Sequence, residues 1–265
     1  MENLQINSSE MLSAINRSEI DMQISTAKQY PRDIEMALKK IKILATIDSE
    51  TAEDCFYALR RNGDLIEGVS VRLAEIIASS WGNLRVQTRI TGNDGRTITA
   101  TGICHDLESN LAVSVEVKRR ITDKNGRTYN DDMQVLNGNA ASAIAFRNAV
   151  LKVVPKAITK KVLQDIKNIA VGQAFDLETE RNRAITFFKS LNVTVEQILE
   201  YLKIDDFEKI DQEKVLELRG LATAIKEGTT SIAESFPKKN EKPSEKQTKV
   251  DAAMMQSEQP KTSLF

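Results

Sequence analysis

A single histidine, two cysteines and 5% aromatic residues leave this chain with little of what metal binding, covalent catalysis or base stacking usually draws on. One histidine, His105, excludes histidine-rich metal centres, and without a Cys/His cluster structural zinc is excluded as well. Cys55 and Cys104 are too few for a disulfide framework, so a reducing, cytoplasmic setting is expected. No glycine is followed by lysine, which removes a Walker A loop and ATP hydrolysis by that route. The patterns G-x-G-x-x-G and G-x-S-x-G are also missing, and no cofactor is implied. No apolar run approaches the roughly 20 residues of a membrane span. The opening MENLQINSSEML is polar and acidic, without the basic-then-apolar order of a signal peptide.

Charge is plentiful, and it is unevenly placed. Lys and Arg total 37 against 38 Asp and Glu, yet residues 118–161 carry a local charge of +7 and residues 162–237 one of -5. A positive patch raises the local concentration of a polyanion whatever the net charge of the chain. The cations begin on a strand. NLAVSVEVKRRITDKNGRTY (110–129) alternates apolar and polar residues, runs into Lys118, Arg119 and Arg120, and turns at Asn125-Gly126.

The order of elements follows from periodicity. Residues 1–61 read as helices, with Ile34, Leu38, Ile41, Leu44 and Ala45 forming one stripe, SETAEDCFYALRR a second helix and Gly63 just past its end. After a loop, VRLAEIIASSW has Ser70 as N-cap and Gly82 as terminator. The period then becomes two. Leu84, Val86, Thr88 and Ile90 share one face of a strand, and Arg85, Gln87, Arg89 and Thr91 the other. Turns at GNDG, DLESN and KNG divide 84–133 into a three- to four-stranded antiparallel meander. A long helix follows with a small face of Ala140, Ala141 and Ala145, interrupted at Pro155. The fold class is therefore α+β. Residues 1–172 form the α+β core and 173–237 a small acidic helical module. Residues 238–265, rich in Lys, Glu, Ser and Gln, compose a disordered tail.

Two chemistries fit the basic meander. One is a metal-dependent nuclease of the D…(D/E)-x-K kind, in which Asp106 and Glu116 hold Mg²⁺ and Lys118 helps activate water. The other needs no catalytic residue: cations that hold a phosphate backbone and leave base edges free. A third possibility is an adaptor that self-associates through its opposite charges.

The order helix, meander, long helix resembles the single-strand annealing proteins of bacteriophages, in the superfamily of the phage Erf-type and eukaryotic Rad-type annealing proteins. The likeness is carried by GVSVRLAEIIASSWGNLRV (68–86), by the stretch from Arg85 to Tyr129 followed by NAASAIAFRNAVLKVVP, and by the C-terminal module at 191–236. This resemblance implies ATP-independent binding and annealing of single-stranded DNA in recombination, by a ring or filament of identical copies in the host cytoplasm. It implies a groove built from Arg85, Arg89, Lys118, Arg119, Arg120, Arg127, Arg147 and Lys152, with Trp81, Tyr129 and Phe146 as the nearby aromatics. The terminal Leu264 and Phe265 would be a docking tip for a replication or recombination partner.

Overall fold

The computed structural model describes residues 8–123, 125–172 and 176–237. Helices α1 (Ser8–Gln29), α2 (Ile34–Ala45) and α3 (Ser49–Asp54) come first. Asp33 and Asp48 cap α2 and α3 by accepting the Met36 and Thr51 amides. On α2, Ile41 and Ala45 of the expected stripe are buried, whereas Ile34 is exposed.

Residues 55–69 depart from the expected helix and loop. Strands β1 (Phe56–Arg61) and β2 (Asp64–Val69) pair antiparallel across Asn62-Gly63, whose φ values of 53° and 92° are both positive. That is the backbone of a two-residue hairpin turn, and Asn-Gly is the pair best suited to it. The helix begun at Ser49 ends at Asp54, and the aromatic and branched residues beyond it take the extended form.

Helix α4 (Val71–Trp81) begins and ends as its sequence directs, with Ser70 accepting the Leu73 amide and Gly82 at φ 79°. The meander comprises β3 (Leu84–Asn93), β4 (Thr97–Asp106) and β5 (Leu111–Arg120), in that spatial order. A bulge near Thr91 shifts the β3–β4 register by one residue. The fourth strand does not form. Its place is taken by one bridge, Thr122–Thr128, with Asp123 accepting the Asn125 and Arg127 amides.

Helix α5 (Asp131–Val153) crosses one face of this sheet, and α6 (Lys156–Gly172) follows Pro155. The small-residue face does what small residues allow: Ala141 and Ala145 are buried against the strands. Gly102 on β4 lies so close to the Ala145 carbonyl that a Cβ there would collide with it. Behind α5, a first core joins Ile41, Leu73, Ile77, Trp81, Val150 and Ile166.

The 173–237 stretch supplies α7 (Leu177–Ser190), α8 (Val195–Leu202), a 3₁₀ turn (Phe207–Lys209), α9 (Gln212–Lys226) and α10 (Ile232–Ser235). They build a second core around Phe188, Ile198, Leu218 and Leu221, to which β1 contributes Leu59. α9 lies directly on β1. Gly220 meets Ala58, and Arg60 makes a two-pronged ion pair with the buried Glu217. The architecture is thus mixed helix and strand with a small antiparallel sheet and helices at the N-terminus. The expected tail at 238–265, with Leu264 and Phe265, lies outside the described residues. No described helix is long and apolar enough to cross a membrane.

Candidate nucleic-acid interface

The two faces of the meander have different fates. β4 alternates strictly, with Ile98, Ala100, Gly102, Cys104 and Asp106 buried and the odd-numbered residues between them less so. Pairing carries this alternation to the neighbours. Ile98 lies beside Arg119, and Cys104 beside Val86 and Val113, so these residues share the side covered by α5.

The opposite face is open. In register across it stand Arg85–His105–Ala112, Gln87–Ile103–Ser114, Arg89–Thr101–Glu116, then Thr99–Lys118 and Thr97–Arg120. Successive rows are about 7 Å apart, two residues of extended chain. Arg89, Lys118 and Arg120 are exposed, as are Ser114 and Glu116. Thr91 joins the face through the bulge, its hydroxyl 3.0 Å from that of Thr101. Arg85, at the end nearest α1, is half-buried and donates to Gln23 at 3.0 Å. The face thus holds four cations, a band of hydroxyls and one acid, Glu116. It carries no Phe, Tyr or Trp.

Of the eight residues implied by the resemblance, Arg85, Arg89, Lys118 and Arg120 are brought together on this face. The other four are not. Arg119 points to the α5 side, donates to the Gly228 carbonyl and reaches Asn137. Burial lowers its pKa, opposed by the charge of Glu234. Arg147 on α5 is only 6% exposed, lies over the Tyr57 ring and pairs with Glu227 at 3.6 Å. Glu227 in turn accepts the Val71 amide at the start of α4, and burial raises its pKa despite both partners. Arg119 and Arg147 are therefore joints between the sheet-and-helix layer and the end of α9. Part of the opposite-charge pairing expected between copies is made within one chain. Lys152 is exposed on α5, behind the sheet, and Arg127 is exposed in the loop after β5. The expected groove between hairpin and following helix is replaced by a single sheet face, because α5 packs tightly where the groove would run.

The D…ExK arrangement is not assembled. Glu116 and Lys118 are on the open face, but Asp106 is buried on the other and pairs with Leu111, five residues along β5 from Glu116. Asp106 is also fully engaged. It accepts the Glu108 and Ser109 amides and an Arg32 guanidinium nitrogen at 3.1 Å. Burial pushes its pKa up, but Arg32 and the two amides outweigh that and hold it below the ordinary 3.8. No group of three or more His, Cys, Asp or Glu among the described residues has the geometry to hold a metal ion. Burial raises the Cys104 thiol to about 11, which suits a core residue rather than a nucleophile. Trp81 is buried under Arg32, and Phe146 packs against the first core.

The hydroxyl band was missed by reading charge alone. Its signal is the period-two run Thr97, Thr99, Thr101 in β4. No protein-family model, curated protein or solved structure matches the chain.

Proposed function

We propose that this chain binds single-stranded DNA along the open face of β3–β5 and promotes annealing of complementary strands without nucleotide hydrolysis. One observation carries the reading: Arg85, Arg89, Lys118 and Arg120, from two different strands, share one uncovered sheet face with a band of hydroxyls and a single acid. Two complementary strands repel each other through their phosphates. Cations that neutralise those phosphates lower the repulsion and gain from released counterions, with no demand on sequence. Thr91, Thr99, Thr101 and Ser114 add donors for phosphate oxygens. Proteins that store single strands usually stack bases on aromatic platforms. A face without Phe, Tyr or Trp grips the backbone and leaves base edges free to pair.

The test is an annealing assay with two labelled complementary strands of about 30 nucleotides, EDTA present throughout so that no metal-dependent step contributes. Faster pairing with the protein than without it, lost in the Lys118→Ala/Arg120→Ala variant, is the expected result. Pairing at the uncatalysed rate, or acceleration that survives the double variant, would overturn the reading.

A further inference from the structure

From Glu10 to Glu19 every residue of α1 is exposed, although that stretch carries Met11, Leu12 and Ile15. A helix standing alone in water is marginal, and helices in proteins are held chiefly by packing of an apolar face. Met11, Ile15 and Met22 occupy positions i, i+4 and i+11, one side of the helix. A second such stripe runs along α2. Met36 and Ile43 stand at i and i+7. Met36 and Ile43 border a groove of about 490 Å³ that α2 forms with Tyr30 and Trp81. All five stripe residues are between 48% and 66% exposed.

The two stripes mirror each other. Seven residues separate Ile15 from Met22 along α1, and seven separate Met36 from Ile43 along α2. Laid antiparallel, Met22 meets Met36 and Ile15 meets Ile43. Charge follows the same register. Arg17, Glu19 and Asp21 fall between Ile15 and Met22, a local charge of -1, and Lys39, Lys40 and Lys42 between Met36 and Ile43, a local charge of +3. Two other exposed apolar patches lack this match: Met133, Val135 and Leu136 follow Asp131 and Asp132, and Leu65 and Ile66 lie between Asp64 and Glu67. Those acids would repel Glu19 and Asp21.

We propose that α1 of one copy packs antiparallel on α2 of a second copy, so that the chain pairs with itself through its N-terminal helices. α1 ends at Gln29 and α2 begins at Ile34, so the Met22 and Met36 ends are close along the chain and a two-fold axis there makes the exchange reciprocal. The proposal does not rest on the nucleic-acid reading.

The test uses full-length protein without DNA. An Ile15→Cys variant is mixed with an Ile43→Cys variant made heavier by a tag, then oxidised in air. Cys55 and Cys104 are buried, so the introduced thiols are the reactive ones. The expected product on a non-reducing gel is a disulfide-linked pair of one tagged and one untagged chain, more abundant than any product of either variant alone. In parallel, light scattering should give the unaltered protein at least twice the chain mass. Lys39→Glu/Lys40→Glu should return it to the single-chain mass, and Glu19→Lys/Asp21→Lys added to that variant should restore association. A single-chain mass for the unaltered protein, or no mixed disulfide, overturns the proposal. The cysteine pair decides the matter even if a charge-reversed variant folds poorly.

Discussion

At Gly102 the sheet and α5 approach until no side chain fits between them, because the Ala145 carbonyl occupies the place of a Cβ. Gly102→Ala must push the helix away or distort the strand. Overpacking of this kind costs about 2 kcal/mol, and thermal denaturation followed by circular dichroism should show it as a drop of several degrees. Asp106 gives a second residue-level expectation. Its pKa is lowered in the fold, so the stability it contributes is present above its ordinary pKa and lost as pH falls through the lowered value. Urea titrations below about pH 4 should therefore show stability falling with acid in the unaltered chain, and a flatter profile in Asp106→Asn. That variant should also be weaker at neutral pH by about 2 kcal/mol, because Arg32 loses the nearer of its two carboxylate partners and keeps only Glu108, at 3.6 Å. An unchanged acid limb would mean that Arg32 and Asp106 contribute little.

Among the elements, the meander separates cations that face outward from cations that tie layers together. Arg119→Ala and Arg147→Ala should lower the melting temperature, since each removes a partner of the loop after α9 or of Glu227. Arg89→Ala and Arg120→Ala should leave the melting temperature within about a degree, as exposed surface changes do. This sorting is half legible in the sequence. Alternation in LRVQTRIT and in the threonines of β4 assigns each residue to one of two faces, and Arg119 and Arg120 must then point apart. Which face α5 would cover was not legible, because it depends on Ala141, Ala145 and Gly102 meeting across sequence-distant segments. The roles of Asp106 and Arg147 were hidden for the same reason: Arg32 and Glu227 are remote partners. The β1–β2 hairpin was missed, although Asn62-Gly63 carries its turn signal. The glycine fits a helix end as well as a hairpin turn, and the α3 pattern ahead of it favours the first choice.

Over the whole molecule, the acidic helices are bound to the rest of the chain through the β1–β2 hairpin and, at the end of α9, through Arg119 and Arg147. Leu59 of β1 is buried in the core formed by α7–α9, Gly220 meets Ala58, and Arg60–Glu217 spans the contact. A chain ended after residue 172 would bare the α9-facing side of β1 and leave Arg147 without Glu227. Such a fragment should melt well below the full chain or aggregate, whereas the full chain should unfold in one cooperative step by calorimetry. A fragment that melts where the full chain does would show that the two layers fold independently. At this scale the open face adjoins α1 at one corner, where Arg85 and Gln87 line a groove with Met22 and Gln23, while the exposed side of α2 is a separate surface.

The most direct measurement of the central claim is fluorescence anisotropy of a labelled single strand, titrated over a range of salt with EDTA present. It compares the unaltered chain with Arg89→Ala/Lys118→Ala/Arg120→Ala and with Arg119→Ala. If the open face holds the phosphates, log affinity falls linearly with log salt, and the triple variant loses about 2 from the slope. Arg119→Ala, at a temperature where it is folded, keeps the slope of the unaltered chain. Equal slopes for all three proteins, or loss confined to Arg119→Ala, would contradict the assignment of the open face as the nucleic-acid interface.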